Sequence, residues 1–321
     1  MSTDTFPIRR VDHIRHYVNN ARQSAFFYQQ SFGFSITGYN GLETGSLDQA
    51  DYVLDQNDLR LVFSAPLRPG HPMAAKIAEH GDFVQDIAFE VDDVDWAWKA
   101  ATDRGAVSWR EPYTIEDDHG SVRMAAICTY GDTVHTLINR DKYNGPFLPG
   151  FRSENEPGDP IGIIEVDHCV GNVELGKMNV WVKWYEDVLG FRNMLSFDDK
   201  DISTDFTSLM SKVMSNGNGR VKFPINEPAP GKKKSQIDEY LEFFGGPGVQ
   251  HVAMRTDDIV HTVSRLQARG IEFLRVPKTY YDMLEDRVGK IDEDINELAE
   301  LGILVDRDDE GYLLQIFKIA R

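Results

Sequence analysis

Two histidines set in short apolar runs are the residues of this 321-residue chain whose type and setting could do chemistry. His251 lies at the centre of Gly248-Val249-Gln250-His251-Val252-Ala253-Met254, and His168 at the centre of Val166-Asp167-His168-Cys169-Val170. Neutral imidazole suits divalent first-row metals, and two imidazoles with one carboxylate make the facial ligand set of non-haem Fe(II) oxygenases, which leaves positions open for a chelating substrate and dioxygen. A lone histidine in an apolar strand is more often a hydrogen-bonded core residue. The pair therefore gains meaning only from the elements that position it.

Those elements are written twice. Val11-Asp12-His13 reads as a strand, followed by a helix capped by Asn20 with Ala21, Ala25, Tyr28 and Phe32 on one stripe and Gly33 at its end. Val166-Asp167-His168 begins the same sequence of elements 155 residues later, with the stripe Met178, Trp181, Tyr185, Leu189 and the terminator Gly190. A second pair is spaced by 165 residues: Val84-Gln85-Asp86-Ile87-Ala88-Phe89 before a helix ending at Arg104-Gly105, and Val249-Gln250-His251-Val252-Ala253-Met254 before one ending at Arg269-Gly270. Four strand-helix modules in the order A-B, A-B follow. Short alternating runs after each helix, such as Leu59 to Phe63, Val122 to Ile127 and Gly311 to Phe317, suit antiparallel strands. The fold class predicted is α+β, with duplicated βαβββ modules forming two open, barrel-like domains.

The Pro- and Gly-rich stretch from Tyr143 to Pro160 reads as the join. Expected boundaries are an N-terminal domain over 1–145, a linker over 146–162 and a C-terminal, metal-binding domain over 163–321. The halves differ where it matters: His168 has a counterpart in His13, whereas His251 aligns with Asp86. One imidazole against two assigns the metal to the C-terminal half.

Composition narrows the classes. A net charge of -18 with 34 Lys and Arg against 52 Asp and Glu opposes nucleic-acid binding, which depends on clustered cations. No run approaches a membrane span of about eighteen apolar residues, and the first residues lack a secretory pattern, so a soluble cytoplasmic protein is expected. Cys128 and Cys169 have no paired spacing and read as thiols within strands.

The segments Ile164 to Asn172, Phe223 to Ile237, Gly248 to His251 and Gly311 to Phe317 resemble the 4-hydroxyphenylpyruvate dioxygenases of the vicinal oxygen chelate (glyoxalase-like) superfamily. The resemblance covers essentially the whole chain and is densest from Ile164 onward. It implies that His168 and His251 are two of three ligands to Fe(II). It also implies that Ser211, Pro224, Asn226, Gln236, Gln250, Gln315 and Phe317 line the substrate site, with Asn226, Gln250 and Gln315 nearest the chemistry. Amides and a hydroxyl can hydrogen-bond a phenol while the 2-oxo acid chelates the metal. The implied reaction takes 4-hydroxyphenylpyruvate and dioxygen to homogentisate and carbon dioxide, in tyrosine catabolism, by a protein that self-associates as a dimer or tetramer.

The third ligand implied is a glutamate on a strand after Phe317, and the repeat places that strand beyond Arg321: Gly120 matches Gly311, 191 residues apart, and is followed by two strands rather than one. Glu165, Asp167, Glu227 and Asp306 are the other carboxylates at hand. Strand alternation turns Glu165 and Asp167 away from the face of His168. The basic run Lys232-Lys233-Lys234 reads as a loop at the pocket mouth. Alternatives within the same fold are 4-hydroxymandelate synthase or, for a chain ending at Arg321, a non-catalytic binding protein.

Overall fold

The computed structural model describes residues 6–197, 209–229, 234–307 and 311–319. The first module runs β1 (Ile8–Tyr17), α1 (Ala21–Phe32), β2 (Ser35–Asn40), β3 (Gln49–Gln56) and β4 (Leu59–Pro66). A short helix, α2 (Pro72–His80), leads to the second: β5 (Phe83–Val91), α3 (Val94–Asp103), β6 (Ser108–Asp117), β7 (Gly120–Cys128) and β8 (Val134–Tyr143). The third repeats the first as β10 (Ile163–Asn172), α4 (Met178–Leu189), β11 (Arg192–Phe197), β12 (Leu209–Ser215) and β13 (Lys222–Pro228), with β9 (Arg152–Glu156) before it. After α5 (Gln236–Phe244) come β14 (Gly248–Thr256), α6 (Ile259–Ala268), three short helices, α7 (Lys278–Asp282), α8 (Leu284–Val288) and α9 (Ile295–Leu301), and β15 (Leu304–Arg307) with β16 (Tyr312–Gln315).

Local chemistry sets these ends. The Asn20 side chain accepts from the Gln23 amide at 3.0 Å, and α1 stops at Gly33, whose φ of 75° is open to glycine at little cost. Gly190 ends α4 in the same way at φ 65°. His71 is the N-cap of α2 and accepts from the Met73 amide.

Sheet order shows the duplication directly. The N-terminal sheet runs β6-β7-β8-β5-β1-β4-β3-β2-β9, and the C-terminal one β11-β12-β13-β10-β14. The five strands β2-β3-β4-β1-β5 and β11-β12-β13-β10-β14 correspond one to one, down to the parallel pairing of β1 with β4 and of β10 with β13. This is the α+β architecture of paired modules predicted from the repeat.

Beyond that common part the halves diverge. In the N-terminal half β8 lies between β5 and β7. Among the described residues of the C-terminal half no strand lies between β14 and β16, so β14 is a sheet edge and β15-β16 forms a separate two-stranded sheet. The pairing past β16 still follows the repeat: the Ile319 amide donates to the Glu272 carbonyl as that of Cys128 donates to Val107. The added residues hold α7, α8 and α9, which bury Leu284, Val288, Leu298 and Val305 in a small core of their own.

The stretch between the halves is not all linker, because β9 pairs with β2. The halves meet through packed and bonded groups. Tyr130, fully buried, lies over Gly171, where a Cβ would come within 2.5 Å of its ring. His135 Nε2 meets the Tyr185 hydroxyl at 2.8 Å.

Candidate metal centre and substrate face

Strand alternation decides which side chains can meet over the C-terminal sheet. Cys169, Met214, Phe223 and Ile225 belong to the apolar core. Their alternates, His168 on β10, Ser211 on β12 and Pro224 and Asn226 on β13, therefore share the opposite, concave face. On β14, His251 joins them because β10 and β14 are antiparallel with His168 opposite Ala253 and His251 opposite Val170. That register makes the two histidines diagonal neighbours on one face. Their ring centroids are 5.7 Å apart and the planes cross at 71°.

Each ring has one nitrogen committed and one free. His168 Nδ1 meets Asp167 Oδ2 at 2.6 Å, and His251 Nδ1 donates to Gln250 Oε1 at 3.0 Å. Neither Nε2 has a protein partner among the described residues. Burial, aided by the neighbouring His168, lowers the pKa of His251 to about 4, so its Nε2 offers a lone pair at neutral pH. Two neutral-capable imidazoles converging with free Nε2 atoms fit a divalent first-row metal, with Asp167 and Gln250 holding the tautomers.

The contact of Asp167 with His168 corrects the expectation from simple alternation. A register irregularity between Val166 and His168 breaks the regular pleat there and lets the carboxylate reach its neighbour's ring. The bond to His168, followed by the Lys222 ammonium, outweighs partial burial and holds Asp167 down at about 2. Gln250 reaches His251 for a similar reason, being the extra residue where pairing jumps from Val170 opposite His251 to Gly171 opposite Val249.

Beside the histidines runs a polar row. Ser211 is opposite Asn226 and Asn226 opposite Asn172, all three buried. The Asn226 amide donates to Asn172 Oδ1 at 3.4 Å, and Asn172 Nδ2 is buried without a partner. Sequence reading gave Asn172 no role. Its signal was there: four residues after His168, it shares that histidine's face.

The remaining expected residues are more scattered. Phe317 stands edge-on to His251 at 5.8 Å between centroids. Gln315 lies on β16, where its amide donates to Asp306. Gln236 is the exposed first residue of α5. Of the basic run, Lys232 and Lys233 lie outside the described residues, and Lys234 pairs with Glu242. A third ligand from beyond Arg321 likewise lies outside them.

The other carboxylates are engaged elsewhere. Glu165 pairs with Arg255, and Glu227 accepts from the Met178 amide at the start of α4. Among the described residues, the three metal-capable groups within 4.8 Å of one another are Glu79, His80 and Asp132, in the other half. There Asp132 already holds the Lys76 ammonium at 2.5 Å and His80 Nε2 at 2.7 Å. That cluster is accounted for as an ion-pair network, and the pair of free Nε2 atoms is the better candidate for a metal.

Known proteins resemble the chain over most of its length. The sequence pattern of the glyoxalase/bleomycin resistance protein/dioxygenase superfamily matches residues 10–129 and 165–316. The chain is 47% identical to 4-hydroxyphenylpyruvate dioxygenase of Yarrowia lipolytica over 96% of its own length and 82% of that protein's. For the enzyme of that name from Xenopus tropicalis the figures are 46%, 95% and 80%, and for that from Dictyostelium discoideum 45%, 95% and 87%. Among solved structures, a mutant of 4-hydroxymandelate synthase from Streptomyces coelicolor superposes with a TM-score of 0.86 at 30% identity, covering 97% of this chain and 88% of its own.

Proposed function

Because the chain belongs to the glyoxalase/bleomycin resistance protein/dioxygenase superfamily and, within it, to the 4-hydroxyphenylpyruvate dioxygenases, we propose that it converts 4-hydroxyphenylpyruvate and dioxygen to homogentisate and carbon dioxide. It is an oxidoreductase of tyrosine catabolism. The observation that carries the assignment to a particular place is the convergence of His168 and His251 on the concave face, next to the buried row Ser211, Asn226 and Asn172.

His168 and His251 would hold Fe(II) through their Nε2 atoms, with a carboxylate as third ligand. Bound there, Fe(II) would supply a centre for the 2-oxo acid and dioxygen and the redox chemistry of decarboxylation coupled to ring hydroxylation. The protein's contribution is orientation. Asp167 and Gln250 hold the imidazole tautomers. Asn226, fixed by Asn172, and Ser211 offer hydrogen bonds to the substrate's polar groups. Phe317, beside His251, supplies an apolar wall over the metal, and Pro224 a rigid floor. Gln236 and Gln315 complete the substrate-binding set from α5 and β16, with Gln315 released from Asp306 when it serves there.

No helix of the described residues is long and apolar enough to cross a membrane. A cytoplasmic location, a dimeric or tetrameric state and the division into domains at 1–145 and 163–321 belong to the same proposal. The reaction is tested by supplying the protein with Fe(II), ascorbate, dioxygen and 4-hydroxyphenylpyruvate. Homogentisate with one carbon dioxide per substrate is expected. Hydroxymandelate as the product would overturn the assignment in favour of side-chain hydroxylation.

A further inference from the structure

We infer that Lys222 is a positioning residue of the metal centre, holding Asp167 so that Asp167 can orient His168. The inference rests on the reading of His168 as a ligand. Its geometry is a chain of two contacts through one carboxylate. Lys222 Nζ meets Asp167 Oδ1 at 3.0 Å, and Asp167 Oδ2 meets His168 Nδ1 at 2.6 Å. The two oxygens are thus divided, one to the lysine and one to the imidazole.

The fold puts Lys222 there. Strands β10 and β13 are parallel, with Gly171 opposite Ile225 and Asn172 opposite Asn226. Carried back three residues, the same register brings Lys222 level with His168. Lys222 and Asp167 both line a cavity of about 270 Å³ where the halves meet. The carboxylate thus stands between an open, charged cavity and the ring it orients. Left without a cation, it could turn toward solvent in that cavity and release the imidazole. The lysine ties it down.

The other half contains the same device with different parts. Arg140 contacts both oxygens of Asp12 at 2.7 and 2.8 Å, and Asp12 meets His13 Nδ1 at 2.7 Å. There the aspartate and histidine are both buried, and among the described residues the ring against His13 is that of Phe147, not a second histidine. A basic residue locking an Asp-His pair recurs, therefore, in each half, but among the described residues it is the C-terminal ring that faces a second imidazole. Outer groups that fix a ligating histidine commonly alter metal affinity by about ten- to a hundred-fold.

The test is titration of the metal-free full chain with Mn(II) by calorimetry, with the Co(II) visible spectrum as a second readout. Lys222→Met is expected to weaken Mn(II) binding about ten-fold and alter the Co(II) spectrum, with an unchanged urea midpoint, since a half-exposed ion pair adds little to stability. Lys222→Arg should restore affinity to within about two-fold of the parent, and Asp167→Asn should weaken binding at least as much as Lys222→Met. Unchanged affinity in Lys222→Met, in a protein that loses the metal on His168→Ala, overturns the inference alone. Metal retention in His168→Ala overturns the reading of the centre, and the inference with it.

Discussion

The two halves place the same kinds of residue at matching points and use them for opposite ends. Around β1 and β5, His13 lies opposite Ala88, and Asp86 opposite Arg15; around β10 and β14, His168 lies opposite Ala253, and His251 opposite Val170. In the N-terminal half the site is closed by protein. Asp86 accepts from the Thr136 amide at 2.9 Å and from its hydroxyl at 2.6 Å, so β8 occupies the carboxylate. His13 is buried edge-on against Phe147. In the C-terminal half His168 and His251 are held through Nδ1, and their Nε2 atoms are free among the described residues. What separates a core from the proposed centre is thus one side chain, Asp86 or His251.

The largest expected effect goes directly at that contrast. His168→Ala and His251→Ala should each abolish metal binding in a calorimetric titration, whereas His13→Ala should leave one equivalent bound. Loss of the metal in all three would break the comparison, because it would make the N-terminal histidine part of the centre. His13→Ala is expected instead to lower stability by about 2 kcal/mol, since it removes one of the two partners of the buried Asp12 and leaves Arg140 as the other.

How much of this was legible in the sequence follows from what kind of information each feature needs. The duplication, the α+β modules and the inequality of Asp86 and His251 depend on spacing alone, and spacing is visible in a chain. The Asp167 contact with His168 and the turn of Gln250 toward His251 depend on local irregularities in β10 and β14, which alternation does not foresee. Lys222 is 54 residues from His168 and reaches Asp167 only through the parallel register of two strands. Asn172 lay inside a quoted motif, but its part in the polar row needs β12, β13 and β10 side by side. The helices α7, α8 and α9 are too short for apolar periodicity to announce them.

A smaller effect sharpens the contrast from the other side. Asp86→His gives the N-terminal half the missing imidazole. It also leaves the buried Thr136 amide and hydroxyl without their acceptor, which costs about 2 kcal/mol. The expected result is a lower urea midpoint and still a single equivalent of bound metal, because His13 is buried against Phe147 and Thr136 packs against residue 86. A second equivalent would show that the side chain alone, not the packing around it, distinguishes the halves.

The smallest effect concerns the N-terminal histidines as fold residues. His16 and His135 are deeply buried, and burial lowers both to about 4, only partly offset by backbone hydrogen bonds. His135 donates from Nδ1 to the Ile87 carbonyl and accepts at Nε2 from the Tyr185 hydroxyl, so the neutral form is the one the fold binds. In the unfolded chain a histidine titrates near about 6.5. Between that value and the folded one, the unfolded state takes up the proton and the folded state does not. Each such histidine therefore contributes stability that is fully present above pH ~6.5 and is lost as the pH falls, at about 1.4 kcal/mol per pH unit within the window. His135→Gln keeps a donor and an acceptor at the site but cannot titrate. Urea midpoints measured from pH 7 to pH 5 should decline less steeply in the variant than in the parent, by about one histidine's share. Equal slopes would mean that His135 carries its proton in the folded protein, and that the N-terminal half uses this histidine as a charged group rather than as a neutral link between the halves.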